Sequence, residues 1–151
     1  VLGGSATSYP SMMRRQGAQQ AMEDAGIRFE DKLYGLSNYD FESAYHAMNG
    51  LLARRAEFTA LFAMSDVIAF GAIRALVSAG LRVPEDVSVI GFDGITMSRY
   101  CVPVMTTIVQ PSEQIALQSI ELLVRQIEHG TPAQTVTLQP ELQQGESVRA
   151  I

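Results

Sequence analysis

Short apolar runs alternate with helix-like patterns over the first two thirds of this chain, and this alternation restricts its fold more than any other feature. The predicted strands end near Gly4, Leu36, Met64 and Phe92, and a helical pattern follows each of the first three. Strand–helix–strand units of this length form right-handed crossovers between parallel strands. We therefore predict the α/β class, with a doubly wound parallel sheet.

The helices are predicted from the spacing of apolar residues and from the residues at their ends. They are expected over residues 10–25, 40–52, 67–79 and 112–128. Glycine follows three of them, at positions 26, 80 and 130, where a left-handed residue commonly ends a helix. A further strand is predicted at 105–110, and the tail is predicted to form two short strands, at 135–139 and 145–148.

Composition narrows the classes of function. The net charge is −5 with 11 lysines and arginines, whereas a surface that binds duplex DNA needs concentrated positive charge. The single cysteine, Cys101, allows no internal disulfide and favours a reducing, cytoplasmic compartment. No apolar run reaches the roughly 18 to 20 residues of a membrane span, and the first residues lack the pattern of a signal peptide. We therefore expect no membrane association and no direct DNA contact from this segment.

Motifs that carry catalysis or hold metals are missing from the sequence. It contains no G-x-S-x-G, H-E-x-x-H or P-loop, and Gly3-Gly4 lacks the third glycine of a dinucleotide-binding loop. His46 and His129 lie far apart, and nothing near them has metal-ligand spacing. We therefore expect neither an enzyme nor a bound cofactor or metal. The polar residues suit a site that holds a ligand by hydrogen bonds.

Polar residues gather where the predicted strands end, and ligands bind at this edge of parallel sheets. Arg14 lies near the start of a helix, where the helix dipole disfavours a cation. It is therefore either a surface residue or a donor aimed at ligand hydroxyls or a carboxylate. Asp93 ends a buried strand and must meet donors from the protein or from a ligand. Because both residues follow parallel strands, we expect Arg14 and Asp93 to converge on one cleft.

Two further residues at this edge have more than one interpretation. Tyr39, between Asn38 and Asp40, is either a packed loop aromatic or an apolar platform for a sugar or base ring. Asp66 is either a simple helix N-cap or part of a ligand site. The residue types and their positions do not decide between these alternatives.

Five segments, in order along nearly the whole chain, carry recognisable motifs. Arg14 to Gly17 is an R-x-x-G, residues 36–45 are similar to G-D-[aromatic]-x-x-x-S-G-[aromatic], and residues 62–71 are similar to A-x-N-D-x-x-A-x-G. Residues 81–93 match L-x-V-P-x-D-[IV]-S-V-[IV]-G-[FY]-D almost throughout, and residues 105–111 are similar to L-T-T-[IV]-x-Q-P. Together these segments resemble the LacI/GalR family of transcriptional regulators.

The resemblance implies a periplasmic-binding-protein-like (type I) effector domain. Residues 1–109 would form its C-terminal subdomain, and residues 110–151 the hinge crossover, a helix and tail strands that pack towards an N-terminal subdomain. The chain would sense a small polar metabolite, a sugar in the first instance. It would act in a homodimeric repressor that binds DNA through an N-terminal helix-turn-helix outside this chain. A periplasmic sugar-binding protein is the alternative function, and a signal peptide or a helix-turn-helix upstream would distinguish the two.

The same resemblance assigns residues to the effector site. The predicted ligand-binding set is Arg14, Tyr39, Ser65, Asp66 and Asp93, and the hinge glutamine corresponds to Gln110. Ser65 stands where the family commonly has asparagine, so a hydroxyl replaces an amide at that position.

Two surfaces are candidates for the homodimer contact. The helix predicted at 67–79 is nearly all apolar, and the loop at 96–103 carries Met97, Tyr100, Cys101 and Val102. These loop residues are more apolar than an exposed loop requires. Alternatively, they cover the core of their own domain.

Overall fold

Six strands form the sheet in the part of the chain that the computed structural model describes, residues 1–55 and 57–150. They are β1 (Leu2–Gly3), β2 (Gly35–Leu36), β3 (Ala60–Phe62), β4 (Ser88–Asp93), β5 (Thr106–Val109) and β6 (Glu141–Gln143). Parallel pairing joins β1 to β2, β3 to β4 and β4 to β5, and a bridge between Leu2 and Ala63 joins β1 to β3. With β6 antiparallel to β5, the strands form the pair β1-β2 and the four-stranded sheet β3-β4-β5-β6, and the bridge links the two in the order β2-β1-β3-β4-β5-β6.

Four α-helices lie close to their predicted positions in these residues. They are α1 (Tyr9–Asp24), α2 (Phe41–Ala53), α3 (Asp66–Ser78) and α4 (Ser112–His129). The end signals act as expected, since Asp40 accepts a hydrogen bond from the Ser43 N–H and Gly80 has a φ of 82°. The strand predicted at 32–36 is shorter than expected, because Asp31–Leu33 forms a 3-10 turn and the pairing with β1 starts at Gly35.

Helices α2 and α3 pack together on one face of the sheet. The core on this side is formed by side chains from both helices and by alternate strand residues, among them Met48, Leu51, Leu61, Ile68, Leu76 and Val89. The helices approach closely at Gly71, where an added Cβ would lie 2.4 Å from the Phe41 carbonyl oxygen and 2.7 Å from the Ala44 Cβ. Most residues of α3 are buried, among them Ile68, Ala72 and Leu76.

Helix α1 lies on the opposite face, so the sheet is wound on both sides. The strand residues that alternate with the core, including Phe62, Ile90 and Phe92, line a groove of about 1240 Å³ together with α1. On the helix side the lining includes the small residues Gly17, Ala18 and Ala21. These short side chains do not fill the space to the sheet. Ser11 is the buried residue of α1, whereas Met13 is 45% exposed.

The tail differs from its prediction. Residues 135–139 and 145–148 do not form strands, and residues 141–143 form β6 instead, because that stretch has the edge of β5 as a hydrogen-bonding partner. Ser147 is nonetheless buried, since its hydroxyl donates to the Val89 carbonyl at 2.6 Å and accepts from the Thr106 N–H at 2.8 Å. The tail therefore contacts the sheet of this chain, while the packing of residues 110–151 towards an N-terminal subdomain stays a prediction. Ile151, the end of that predicted segment, lies outside the described residues.

Helix α4 is the element that departs from the sheet. Its apolar side chains are largely in solvent, with Ile120 62% exposed and Ile127 74% exposed. An amphipathic helix of this kind has an apolar face that calls for a packing partner. Among the described residues, no helix combines the length and the hydropathy needed to cross a membrane.

Candidate functional site

Arg14, Asp93 and Gln110 meet at the carboxyl edge of the sheet. Asp93 is the last residue of β4, and its Oδ1 accepts a hydrogen bond from Gln110 Nε2 at 2.7 Å and one from Arg14 Nη2 at 3.4 Å. Arg14 also donates to the backbone carbonyl of Met64, at the end of the neighbouring strand. The structure thus brings Arg14 and Asp93 together as expected, and it adds Gln110 to the same cluster.

The guanidinium of Arg14 is held from several directions. Because α1 begins at Tyr9, Arg14 lies in the second turn of the helix and not in the first, so the helix dipole opposes it less than the sequence indicated. Its Cζ lies 3.7 Å from the centroid of the Phe92 ring, a cation–π contact, and its side chain is only 16% exposed. Arg14 is therefore a fixed donor at the sheet edge and not a loose surface residue.

Asp93 has a positive φ angle and a carboxyl group whose pKa is raised. Its φ is 115° and that of Gly94 is 71°, so two consecutive residues have positive φ, which is costly for a residue other than glycine. Burial is the largest influence on the Asp93 carboxyl and raises its pKa, while Arg14 and Gln110 act in the opposite direction. Within the described residues, the hydrogen bonds to this carboxylate involve Oδ1. Its Oδ2 is thus available to accept a hydrogen bond from a ligand hydroxyl.

Tyr39 lies against the end of β1. Its ring contacts Gly4 so closely that an added Cβ there would lie 2.0 Å from a ring carbon, and its hydroxyl shares a 2.6 Å hydrogen bond with Ser11. The φ of Tyr39 is 60°, a left-handed conformation held by these two contacts. The ring is therefore packed, as one of the two interpretations had it, and because it is only half buried its role as a platform for a ligand stays a prediction.

Ser11 was not predicted as a site residue. The sequence did contain an indication of its position, because Ser11 precedes Arg14 by three residues and therefore lies on the same face of α1. Phe92 and Thr107 were missed as well, because their roles depend on contacts between distant segments.

Ser65 and Asp66 occupy the junction between β3 and α3. Ser65 is the N-cap, and its hydroxyl oxygen accepts a hydrogen bond from the Ile68 N–H at 3.2 Å. Asp66, for which the sequence left open a cap or a ligand contact, is the first residue of the helix and has no exposed surface. Its two oxygens accept hydrogen bonds from the Thr107 hydroxyl and the Ile95 N–H. Asp66 therefore lies behind the cluster, and its carboxylate is already engaged within the protein.

Opposing influences act on the pKa of the Asp66 carboxyl. Burial raises its pKa, and the hydrogen bonds from Thr107 and from the Ile95 backbone oppose that increase. Its charge can be retained in the interior because donors surround it.

The polar cluster, and not the groove under α1, has the character of a small-molecule site. The groove under α1 begins at Arg14 and Phe92 but is otherwise lined mainly by apolar side chains. Ligand sites instead combine an apolar surface with a few convergent polar groups, and Arg14 and Asp93 converge in this way beside the Phe92 ring. In the part of the chain that the structure describes, no three His, Cys, Asp or Glu residues converge to hold a metal ion.

The chain is similar to known proteins along almost its whole length. Residues 1–148 match the family described as the periplasmic binding protein-like domain. The HTH-type transcriptional repressor PurR of Histophilus somni is 35% identical over 152 aligned positions, which cover 100% of this chain and 46% of that protein.

Two solved structures have the same fold. The transcriptional regulator CelR in complex with cellobiose gives a TM-score of 0.92 at 33% identity, covering 97% of this chain and 45% of that one. A sugar-binding transcriptional regulator of the LacI family from Escherichia coli, in complex with phosphate, gives a TM-score of 0.89 at 33% identity, covering 97% and 53%. The chain thus spans about half the length of the relatives it matches.

Proposed function

Because this chain belongs to the periplasmic-binding-protein-like domain of LacI-family transcriptional regulators, we propose that it is the C-terminal part of an effector-sensing core that controls DNA binding. The observation that carries this proposal is the cluster of Arg14, Asp93 and Gln110. It joins hydrogen-bonding groups suited to a polar ligand to the segment through which the chain leaves the sheet. The protein would act in the cytoplasm and would not catalyse a reaction.

The effector in this proposal is a small polar metabolite, and a sugar fits the site best. Asp93 would accept hydrogen bonds from ligand hydroxyls, Arg14 would donate to ligand oxygens, and the Tyr39 ring would pack against an apolar ring face. Ser65 would contribute at the end of β3, where its hydroxyl can still donate while its oxygen caps α3. The relatives solved with cellobiose and with phosphate support a polar, oxygen-rich ligand.

Ligand binding would be transmitted through Gln110. This residue lies between β5 and α4, and its side chain shares Asp93 Oδ1 with Arg14. A ligand that competes for this oxygen would favour a different orientation of the crossover and hence of α4. The exposed apolar face of α4 would pack on an N-terminal subdomain, and a helix-turn-helix headpiece, also outside this chain, would bind DNA.

The protein would function as a homodimer through the loop at residues 96–103. Met97, Tyr100 and Val102 are 59%, 77% and 93% exposed and are free to form this contact, whereas Cys101 is partly buried and packs against the core of its own domain. In contrast, α3 uses most of its apolar residues inside the domain, which makes it the weaker of the two candidate surfaces. A two-fold axis between subunits would pair two headpieces on related half-sites.

A thermal-shift screen of the full-length protein tests the effector proposal. The panel contains mono- and disaccharides including cellobiose, sugar phosphates, nucleosides and purines, each measured with the wild type and with Asp93→Asn. We expect at least one compound to raise the melting temperature of the wild type and to lose most of that effect in the variant. A panel without any shift, or a shift that Asp93→Asn leaves intact, would contradict the proposal.

A further inference from the structure

The carboxylate of Asp66 bridges strand β5 and the loop that follows β4. Its Oδ1 accepts a hydrogen bond from the Thr107 hydroxyl at 2.5 Å, and its Oδ2 accepts one from the Ile95 N–H at 2.8 Å. Thr107 belongs to β5, and Ile95 follows the end of β4. Both Asp66 and Thr107 are fully buried, so solvent does not compete for this bridge.

The space around this carboxylate is closely matched to it. An added Cβ at Gly91, on β4, would lie 2.2 Å from Asp66 Oδ1, so a side chain there would displace the carboxylate. The bridge ends at Ile95, the residue directly after the strained turn of Asp93 and Gly94, where both residues have positive φ. A turn of this kind persists when the surrounding structure holds it, and Asp66 holds it at Ile95.

We propose that Asp66 and Thr107 are positioning residues that keep Asp93 within reach of Gln110 and of a bound ligand, an inference that rests on the ligand-binding function proposed above. Asp66 does not touch the ligand, because it has no exposed surface and both of its oxygens have donors within the protein. It acts through the backbone from Asp93 to Ile95 on one side and through β5, which leads to Gln110, on the other.

Isosteric variants separate this role from a general contribution to the core. Asp66→Asn places an amide NH2 group where one carboxylate oxygen accepts a hydrogen bond, and Thr107→Val removes the hydroxyl donor at constant shape. Thr107→Ser keeps the hydroxyl and should restore the function. Ser147→Ala is the matched control. Ser147 is a buried residue of the tail, and its hydroxyl bonds to other atoms of the same sheet, the Val89 carbonyl and the Thr106 N–H.

Two measurements on the full-length protein test the proposal. The first is amide hydrogen exchange of Ile95, expressed relative to the Gly35 amide, which donates to Val1 in another part of the sheet. The second is the dissociation constant of the compound that gives the largest shift in the screen described above. We expect Asp66→Asn and Thr107→Val to accelerate the relative exchange of Ile95, and to weaken ligand binding, each by about tenfold.

The controls determine the outcome. Thr107→Ser should stay within about threefold of the wild type in both measurements, and Ser147→Ala should lower overall stability without a selective effect on Ile95 or on affinity. The proposal is overturned if Asp66→Asn and Thr107→Val behave like Ser147→Ala, or if Thr107→Ser is as impaired as Thr107→Val. If Thr107→Val does not fold, Asp66→Asn provides the same comparison.

The exchange measurement needs no ligand. If no compound in the screen binds, the proposed function fails, while the relative exchange of Ile95 still shows whether Asp66 holds the turn. Selective loss of ligand affinity with unchanged exchange would overturn the positioning role and leave the proposed function standing.

Discussion

The side-chain amide of Gln110 donates a hydrogen bond of 2.7 Å to the carboxylate of Asp93, and its backbone N–H donates to the carbonyl of the same residue at 3.2 Å. Gln110 follows β5 directly, and α4 begins at Ser112. The carboxylate proposed to bind the effector is therefore joined, through one residue, to the segment that leads out of the sheet. Mutation of Gln110 can therefore separate ligand binding from the transmission of that binding to α4.

Gln110→Met should leave effector binding largely intact and weaken its effect on DNA. Methionine preserves the size of the side chain but removes the amide donor, so Asp93 keeps Arg14 while the crossover loses its link to the site. We expect an effector dissociation constant within about threefold of the wild type and a clearly smaller change in operator affinity on adding effector. Calorimetry measures the effector dissociation constant, and an operator-binding assay measures the change in operator affinity. An unchanged operator response would contradict transmission through Gln110.

Arg14→Ala should abolish effector binding, whereas Arg15→Ala should retain it. The neighbouring arginines provide a matched pair, because Arg15 points away from the site, pairs with Asp31 at 2.5 Å and packs over Tyr34. Loss of the buried Arg14 contacts should lower the free energy of unfolding by about 1 to 3 kcal/mol, and loss of the exposed Arg15 pair by less than about 1 kcal/mol. Thermal shift with effector and urea denaturation test this, and equal loss of binding in both variants would refute it.

Asp93→Asn should gain stability relative to the wild type as the pH rises. Burial raises the pKa of Asp93 above its ordinary value of 3.8, so the folded chain binds this proton more tightly than the unfolded chain. The wild type therefore loses stability as the pH increases from below 3.8 through the native pKa, and asparagine does not titrate. Urea denaturation across this window should show the difference increasing and then levelling off. A difference that is constant or decreases would be inconsistent with the raised pKa.

Alanine should have opposite effects at Gly71 and Gly50. At Gly71 the new Cβ would lie 2.4 Å from the Phe41 carbonyl oxygen, so α2 and α3 must separate, at a cost of about 2 kcal/mol or more. At Gly50, inside α2, nothing lies within 4 Å of the new Cβ, and the higher helix propensity of alanine should stabilise the fold by about 0.5 to 1 kcal/mol. Urea denaturation measures both changes, and a neutral Gly71→Ala would show that the two helices can adjust.

Val102→Asp should dissociate the proposed homodimer, whereas Val77→Asp should not. Val102 lies in the 96–103 loop and is 93% exposed, while Val77 lies on α3 and is 51% exposed. A charge buried at a subunit interface without a partner is costly, so the variant at the true contact should shift the full-length protein towards monomer. Sedimentation velocity at tens of micromolar distinguishes the two surfaces. Dissociation by Val77→Asp but not by Val102→Asp would show that the subunits meet through α3.

Much of the architecture follows from local features of the sequence. The cap at Asp40 and the glycines at 80 and 130 act within a few residues of their own position, so the helix ends could be predicted from residue type. The strand–helix alternation gave the parallel pairing of the strands, and parallel pairing was enough to bring Arg14 and Asp93 to the same edge.

Contacts between distant segments depend on the tertiary fold and were not predictable in the same way. The alternating residues of the tail favour strands at 135–139 and 145–148, yet β6 forms where the edge of β5 offers hydrogen-bonding partners. Asp66 has the residue type and position of a cap, but its carboxylate is committed to Thr107, 41 positions along the chain. Local propensity acts over a few residues, whereas which side chains meet across a sheet is set by strand register and by the space left between packed elements.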